Sequence, residues 1–139
     1  MLDLKFIRDN IDAVRENVKA RHVTANPDLV VELYDARNLL LKELETLRAS
    51  RNANAGRMKG KLPPEERAPL IEEGKRLKEK IAELEARGEE TEKKLTEEAL
   101  KIPNMAHPDA PVAEGETGNR QLRTWGAVPV FGFAAKDHV

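Results

Sequence analysis

The stretch that decides the fold is residues 30–58, which read VVELYDARNLLLKELETLRASRNANAGRM. Its apolar residues recur at steps of three and four positions, which places them along one line of a helix. They are Val30, Leu33, Leu40, Leu44, Leu47 and Met58. So narrow a line is typical of a coiled-coil seam that packs on one partner helix, and not of a broad face in a globular core.

A second stretch, residues 70–102, carries a seam of the same kind, made of Leu70, Leu77, Ile81, Leu84, Leu95 and Ile102. The segment Gly60-Lys61-Leu62-Pro63-Pro64 between the two stretches is long enough only for a chain reversal, so the helices should be antiparallel neighbours. We predict an all-α fold, a long antiparallel two-helix coiled-coil hairpin. This arm should span residues 26–102, with its tip at about 58–64. The side chains expected between its helices are Leu40, Leu44, Leu47, Leu77, Ile81 and Leu84.

Start and stop signals bound both long helices. Asn26 is a good helix cap and is followed by Pro27 at the first helical position. Pro63 and Pro64 begin the return helix, which should stop at Ile102 because the next residue is a proline.

Residues 1–25 should pack at the base of the arm. Apolar residues at alternating positions predict that residues 1–10 include a short extended piece or turn. Asp9 or Asn10 then caps a short helix that ends near Arg21. One face of this helix carries three aliphatic residues, Ile11, Val14 and Val18. Because so short a helix is marginal alone, we expect this face to pack against the arm.

Prolines and glycines break every pattern beyond Ile102. Residues 103–139 should therefore form an irregular linker, with a short strand at about 128–133. Trp125, Phe131 and Phe133 lie in this segment, which has no core of its own, and we expect them to pack on a domain further along the polypeptide.

Polar residues and glycines interrupt the two seams, at Arg37, Arg51, Asn54, Gly74, Gly88 and Thr91. Each glycine inside a helix costs about 0.5–1 kcal/mol relative to alanine. In one interpretation the glycines make room for bulky or polar residues opposite and so fix the register. In the other, weak layers let the arm flex. The sequence leaves both open.

Composition excludes several classes of protein. Charged residues make up 35% of the chain and aromatic residues 4%, which suits exposed helices and cannot fill a large core. The absence of cysteine excludes disulfides and thiolate metal sites. No run reaches the roughly 20 apolar residues of a membrane span, and the N-terminus does not read as a signal peptide. We expect a soluble, cytoplasmic chain.

Catalytic patterns do not assemble in this sequence. Residues 56–61 superficially resemble a phosphate-binding loop, but the glycine spacing is short, the hydroxyl residue is missing and no strand precedes it. His22, His107 and His138 lack metal-ligand spacing. We expect the chain as given to be no enzyme, with no metal site and no cofactor of its own.

The charge pattern points to a binding function. The net charge is −1, yet residues 46–64 contain no acid and several cations. Residues 83–98 instead contain seven acids, Glu83, Glu85, Glu89, Glu90, Glu92, Glu97 and Glu98. The arm is thus basic at its tip and acidic near its base, so phosphates would be drawn to one end. An unevenly charged but merely solvated surface is the alternative explanation.

Several short sequence segments that carry a family resemblance occur in order along the chain. They are Met1–Asn10, Leu44–Asn52, Ile102-Pro103-Asn104, His107-Pro108, Pro111-Val112, Trp125-Gly126, Phe131, Phe133 and residues 136–139. Together they resemble the N-terminal region of the seryl-tRNA synthetase family, with Ile11 where many members have proline.

The resemblance implies a coiled-coil arm that projects from a dimeric class II catalytic domain. It implies as partner tRNA(Ser), gripped at its long variable arm and elbow, with tRNA(Sec) as a further candidate. The catalytic domain of the same polypeptide would attach serine using ATP and Mg²⁺, and its motifs are absent from this sequence. The parent should be a homodimer and the isolated arm a monomer. The chain could be a piece of such a ligase or a stand-alone relative.

The expected RNA contacts are the cations of the tip and of the facing helix, namely Arg48, Arg51, Arg57, Lys59, Lys61, Arg76, Lys78 and Lys80. Arg51 also occupies a seam position, which favours a packing role. Exposed cations without intervening aromatics suit contact with the RNA backbone. The alternative function is a coiled-coil hairpin that binds another protein and no RNA.

Overall fold

A computed structural model describes residues 1–60, 63–127 and 129–136. This part of the chain forms four α-helices, α1 (Leu4–Asp9), α2 (Ile11–Ala20), α3 (Pro27–Arg57) and α4 (Pro64–Lys101), and one 3₁₀ turn (Gly115–Gly118). Helices α3 and α4 pack against each other along the arm, which confirms the predicted antiparallel hairpin. Lys61 and Leu62 of the predicted tip lie outside the described residues.

The helix boundaries follow the predicted signals. The Asn26 side chain accepts a hydrogen bond from the backbone amide of Leu29 at 3.2 Å, with Pro27 at the first helical position. Helix α4 ends at Lys101, and Ile102 is already in an extended conformation ahead of the proline. Pro69 lies inside α4, close enough to its start to be tolerated.

The predicted extended piece at the N-terminus is wrong over Leu4–Asp9, which is helix α1. The Asp3 carboxylate accepts a hydrogen bond from the Phe6 amide at 2.9 Å and so caps this helix. Ile7, in the middle of α1, is fully buried. Capping and this buried contact therefore outweigh the alternating pattern. Asn10 precedes α2, but its side chain makes no capping bond there.

A hydrophobic core at the base of the arm joins all four helices. Its buried members are Ile7, Val14, Val18, Val30, Leu95, Ala99 and Ile102. Ile11, which was expected to share this face, is only half-buried. Arg15 of α2 also donates to Asp28 of α3, with 3.2 Å between Nε and Oδ2, and this hydrogen bond holds the pKa of Asp28 below its ordinary value.

A second, smaller cluster lies midway along the arm. Leu44, Ile81 and Leu84 are buried there. The other three predicted seam residues, Leu40, Leu47 and Leu77, are half-buried. A seam between only two helices stays open to water on both sides, so its edge residues keep part of their exposure.

Asn54 forms the layer nearest the tip and is only 4% exposed. Its Nδ2 donates to the backbone carbonyl of Leu70 at 3.1 Å, which fixes how α3 and α4 line up. A Cβ at Gly74 would lie 3.9 Å from that Nδ2, so this glycine does face a polar seam residue. A Cβ at Gly88 would meet nothing within 4 Å. The register interpretation thus has support at Gly74 and none at Gly88.

The segment after α4 is irregular. The strand expected at about 128–133 is wrong over residues 129–133, which form bends and unpaired chain, and Val128 lies outside the described residues. The described residues contain no strand that could pair with this segment, and a strand needs a partner for its backbone hydrogen bonds. Trp125 is 95% exposed, Phe133 71% and Phe131 54%.

Candidate nucleic-acid interface

Two ion pairs cross from α3 to α4 on one side of the arm. Arg37 pairs with Glu92 nearer the base, and Arg48 pairs with Glu85, with 2.8 Å between Nη2 and Oε1. Arg48, a predicted RNA contact, is therefore already partnered by a carboxylate. Because both side chains of this pair are about half exposed, the pair contributes at most about 1 kcal/mol, and a phosphate could compete for the guanidinium.

A groove between α3 and α4 continues on the same side toward the tip. It is lined by Arg51, Asn54, Ala55, Met58, Ile71, Gly74, Lys75 and Lys78. Cations thus stand on both walls, the floor is apolar, and no carboxylate is among the lining residues. Arg51 is exposed here and not buried in the seam, so its side chain is accessible to a ligand. We call this the groove side.

Three other predicted contacts lie on the opposite side of the arm, which we call the far side. Arg76 and Lys80 are each two positions from Lys78, so they point about 200° away from it around α4. Arg57 is nine positions from Arg48 and therefore lies about half a turn away around α3. All three are exposed. The structure brings the predicted residues to one half of the arm but divides them between two sides.

The turn at the tip carries Lys59, which is exposed and follows the end of α3. Lys61 lies outside the described residues. Sequence reasoning also missed one candidate, Lys75. It lies three positions before Lys78, so the two share a side of α4. That spacing was a usable signal, although Glu72 and Glu79 lie three and four positions from Lys75.

Ion pairing differs along the arm. Toward the base, Lys94 pairs with Glu90 and Lys101 with Glu98, each at 2.6 Å. The hydrogen bond from Lys94 lowers the pKa of the Glu90 carboxyl. In the distal half of the arm (residues 46–80), Arg48 is the one cation with an ion pair among the described residues. The distal cations are therefore available to an external anion.

The described ranges also bear on metal sites and membrane spans. No group of three or more His, Cys, Asp or Glu there is placed to hold a metal ion. His22 and His107 each approach one exposed carboxylate, of Glu114 and Asp109, at 3.8 Å. No helix in that part of the chain has the length and apolarity to cross a bilayer.

An extended hairpin whose described distal cations, Arg48 apart, have no ion pair with another described residue has the architecture of a binding arm. The sequence profile of the seryl-tRNA synthetase N-terminal domain matches residues 1–106. The serine–tRNA ligases of Treponema denticola and Rubrobacter xylanophilus are 51% and 48% identical to the chain over 139 residues. The chain belongs to the seryl-tRNA synthetase N-terminal domain family.

A solved structure has the same fold. The seryl-tRNA synthetase of Pyrococcus horikoshii, crystallised with ATP, matches 91% of this chain with a TM-score of 0.75 and 31% identity. The match covers 29% of the archaeal chain. The two bacterial relatives are matched over the whole of this chain and 33% of their own length. The chain therefore spans about a third of the length of the relatives it matches.

Proposed function

We propose that this chain is a tRNA-binding arm and that the distal half contacts the backbone of tRNA(Ser) at its long variable arm and elbow. The observation that carries the proposal is the distribution of ion pairs. Arg51, Arg57 and Lys78 have no ion pair among the described residues, whereas Arg37, Lys94 and Lys101 near the base do. Phosphates would therefore be attracted to the distal half and repelled by the acids near the base.

The side chains of the arm favour recognition of RNA shape over recognition of bases. Stacking on unpaired bases needs aromatic side chains, and the one aromatic residue in the arm is Tyr34. Tyr34 packs against the base core, with the Arg8 guanidinium 6.0 Å from its ring centroid. A-form RNA hides its base edges in a deep, narrow groove, so an arm of exposed cations suits contacts with phosphate and ribose.

Its relatives support a proposal for the activity of the whole protein. We propose that a catalytic domain of the same polypeptide joins serine to tRNA(Ser), using ATP and Mg²⁺, in a cytoplasmic homodimer. tRNA(Sec), which also has a long variable arm, is a second candidate substrate. The separate arm should be a monomer and bind weakly, because it lacks the acceptor-stem contacts and the avidity of the dimer.

The test is a salt titration of binding between the 139-residue chain and fluorescently labelled tRNA(Ser), with a tRNA of short variable arm as the control. Two triple variants are compared. The distal variant carries the charge reversals R51E, R57E and K78E, and the base variant carries R87E, K93E and K94E. We expect the distal variant to lose most of its affinity and the base variant to keep it. Equal losses, or none from the distal variant, would refute the proposed surface.

The alternative function, a protein-binding hairpin, makes a different prediction. It requires that the unsubstituted chain be indifferent to both RNAs at low salt and that it bind one defined protein with an affinity that distal charge reversal does not change. Selective, salt-dependent binding of the long-armed tRNA argues against it.

A further inference from the structure

We infer that the RNA lies on the groove side of the distal half, in contact with Arg51, Lys75 and Lys78, and that Lys75 is an RNA-binding residue. This inference rests on the proposed function and narrows it from half of the arm to one side. It also adds a residue that the sequence pattern did not select.

The shape of the groove is the first argument. Gly74 has no side chain, and Asn54 opposite it is buried, so a channel stays open between the helices. Arg51 stands on the α3 wall, and Lys75 and Lys78 stand on the α4 wall. A strand of RNA backbone that follows this channel would meet cations from both helices. On the far side, Arg57, Arg76 and Lys80 are exposed, but none of them lines this groove.

The floor of the groove is the second argument. Ile71 is 43% exposed and Met58 is half-buried, and both line the groove between the cations. Exposed aliphatic surface of this kind is costly in water and can cover the apolar face of a ribose. Phosphate oxygens would then face the three cations while the sugar faces Ile71. The groove therefore offers both kinds of contact that an RNA backbone requires.

The acids nearby are the third argument. On a helix, side chains three or four positions apart are neighbours. Lys78 has no acid at these spacings, and neither does Arg51. On the far side, Arg76 has three such acids, Lys80 has one and Arg57 has none, a total of four against two for the groove side. Lys75 shares Glu72 and Glu79 with Arg76, but it faces the groove together with Lys78. Phosphates are therefore attracted more strongly to the groove side.

The ion pair between Arg48 and Glu85 ends this surface toward the base. Beyond it, Glu89 and Glu92 line the same side of the arm. A phosphate would be repelled there, so the contact should extend from Met58 to Arg48. Ten residues at the helical rise of 1.5 Å give a length of about 15 Å, which accommodates a few phosphates.

Two triple variants test the inference. R51A/K75A/K78A removes three cations from the groove side, and R57A/R76A/K80A removes three cations from the far side. Each removes three exposed positive charges, so the change in net charge is the same. We expect the groove variant to lose at least about tenfold in affinity for tRNA(Ser), and its slope of log K against log salt to fall by about 2–3. The far-side variant should change affinity by less than about threefold and keep its slope.

Single substitutions at Lys75 give a second readout that does not depend on the triple variant folding. K75A should lower the salt slope by about one, and K75R should restore it. Equal losses from the two triple variants, a larger loss from the far side, or an unchanged slope in K75A would overturn the inference and leave the proposed function standing. Failure of the unsubstituted chain to bind tRNA(Ser) at low salt would instead overturn the proposed function.

Discussion

The side-chain amide of Asn17 donates a hydrogen bond to the backbone carbonyl of Asn104 across 3.3 Å, which ties α2 to the segment that leaves α4. The same amide donates to the Pro103 carbonyl at 3.4 Å, and its oxygen accepts from the Ala106 amide at 2.8 Å. Asn17 is only 7% exposed, and its three bonds are partly buried. A single side chain thus sets the direction in which the chain leaves the arm.

Replacing Asn17 by alanine should destabilise the base of the arm. The substitution leaves the Pro103 carbonyl and the Ala106 amide without this partner and removes one of two side-chain bonds to the Asn104 carbonyl. We expect a loss of about 1–3 kcal/mol in the free energy of unfolding by urea. R21A is the control, because Arg21 makes one exposed bond to the same Asn104 carbonyl at 3.0 Å and should cost no more than about 0.5 kcal/mol. Similar losses from both variants would contradict this account.

Truncating a leucine in the seam should lower the free energy of unfolding far more than truncating a leucine on the exposed surface of the same helices. Leu84 is 7% exposed in the middle cluster, whereas Leu39 on α3 is 70% exposed. L84A should lower the free energy of unfolding by about 2–3 kcal/mol, the lower part of the usual range, because a two-helix seam is partly solvated. L39A should change it by less than about 0.5 kcal/mol. The measurement is thermal or urea unfolding followed by circular dichroism. An L84A variant as stable as the unsubstituted chain would be incompatible with a packed seam.

Gly88 should accept a side chain with a gain in stability. A Cβ there meets nothing within 4 Å, so G88A should raise the free energy of unfolding by about 0.5–1 kcal/mol through helix propensity alone. G74A gives the comparison: its Cβ would lie 3.9 Å from Asn54 Nδ2, an ordinary van der Waals contact, so a similar gain is expected. A destabilised G88A would show that this glycine has a packing role absent from the structure.

Trp125 should behave as a solvated side chain in the 139-residue chain. It is the one tryptophan of the sequence, so its fluorescence reports this segment alone. We expect emission typical of tryptophan in water, full quenching by acrylamide, and fast amide exchange over residues 120–127, because exposed chain without a partner is not protected. Blue-shifted emission and strong protection in a monomer would mean that the segment folds back on the arm.

The seam pattern was sufficient to predict the hairpin, because Leu44, Ile81 and Leu84 bury the same surfaces that their spacing indicates. Helix α1 was not predictable in the same way. Its six residues carry no helical period long enough to recognise, and its stability comes from the Asp3 cap and from the contact of Ile7 with residues distant in sequence. Likewise, the local sequence around Pro129 and Gly132 could not show whether another strand is available to pair with this segment.

The location of the candidate site along the arm could be predicted, but its side could not. Charge runs show which end of a helix is basic, and this predicted a candidate site in the distal half, with Arg51 and Lys78. Which flank each cation occupies depends on how α3 and α4 face each other, and only the structure provides that. For the same reason the pairing of Arg48 with Glu85, thirty-seven positions apart, left no trace in local sequence.

The antiparallel pairing through the Asn54 layer couples the length of α3 to the length of α4. Each residue of α3 is matched to one of α4, so a change of length in one helix alone would break the register between Asn54 and Leu70. Seven residues added to both helices, on the tip side of the Leu44 and Leu84 layer, would preserve the seam. Such an insertion would carry the groove about 10 Å further from the base. The distance between the two ends is therefore adjustable in steps of two helical turns, while the surfaces at each end stay unchanged.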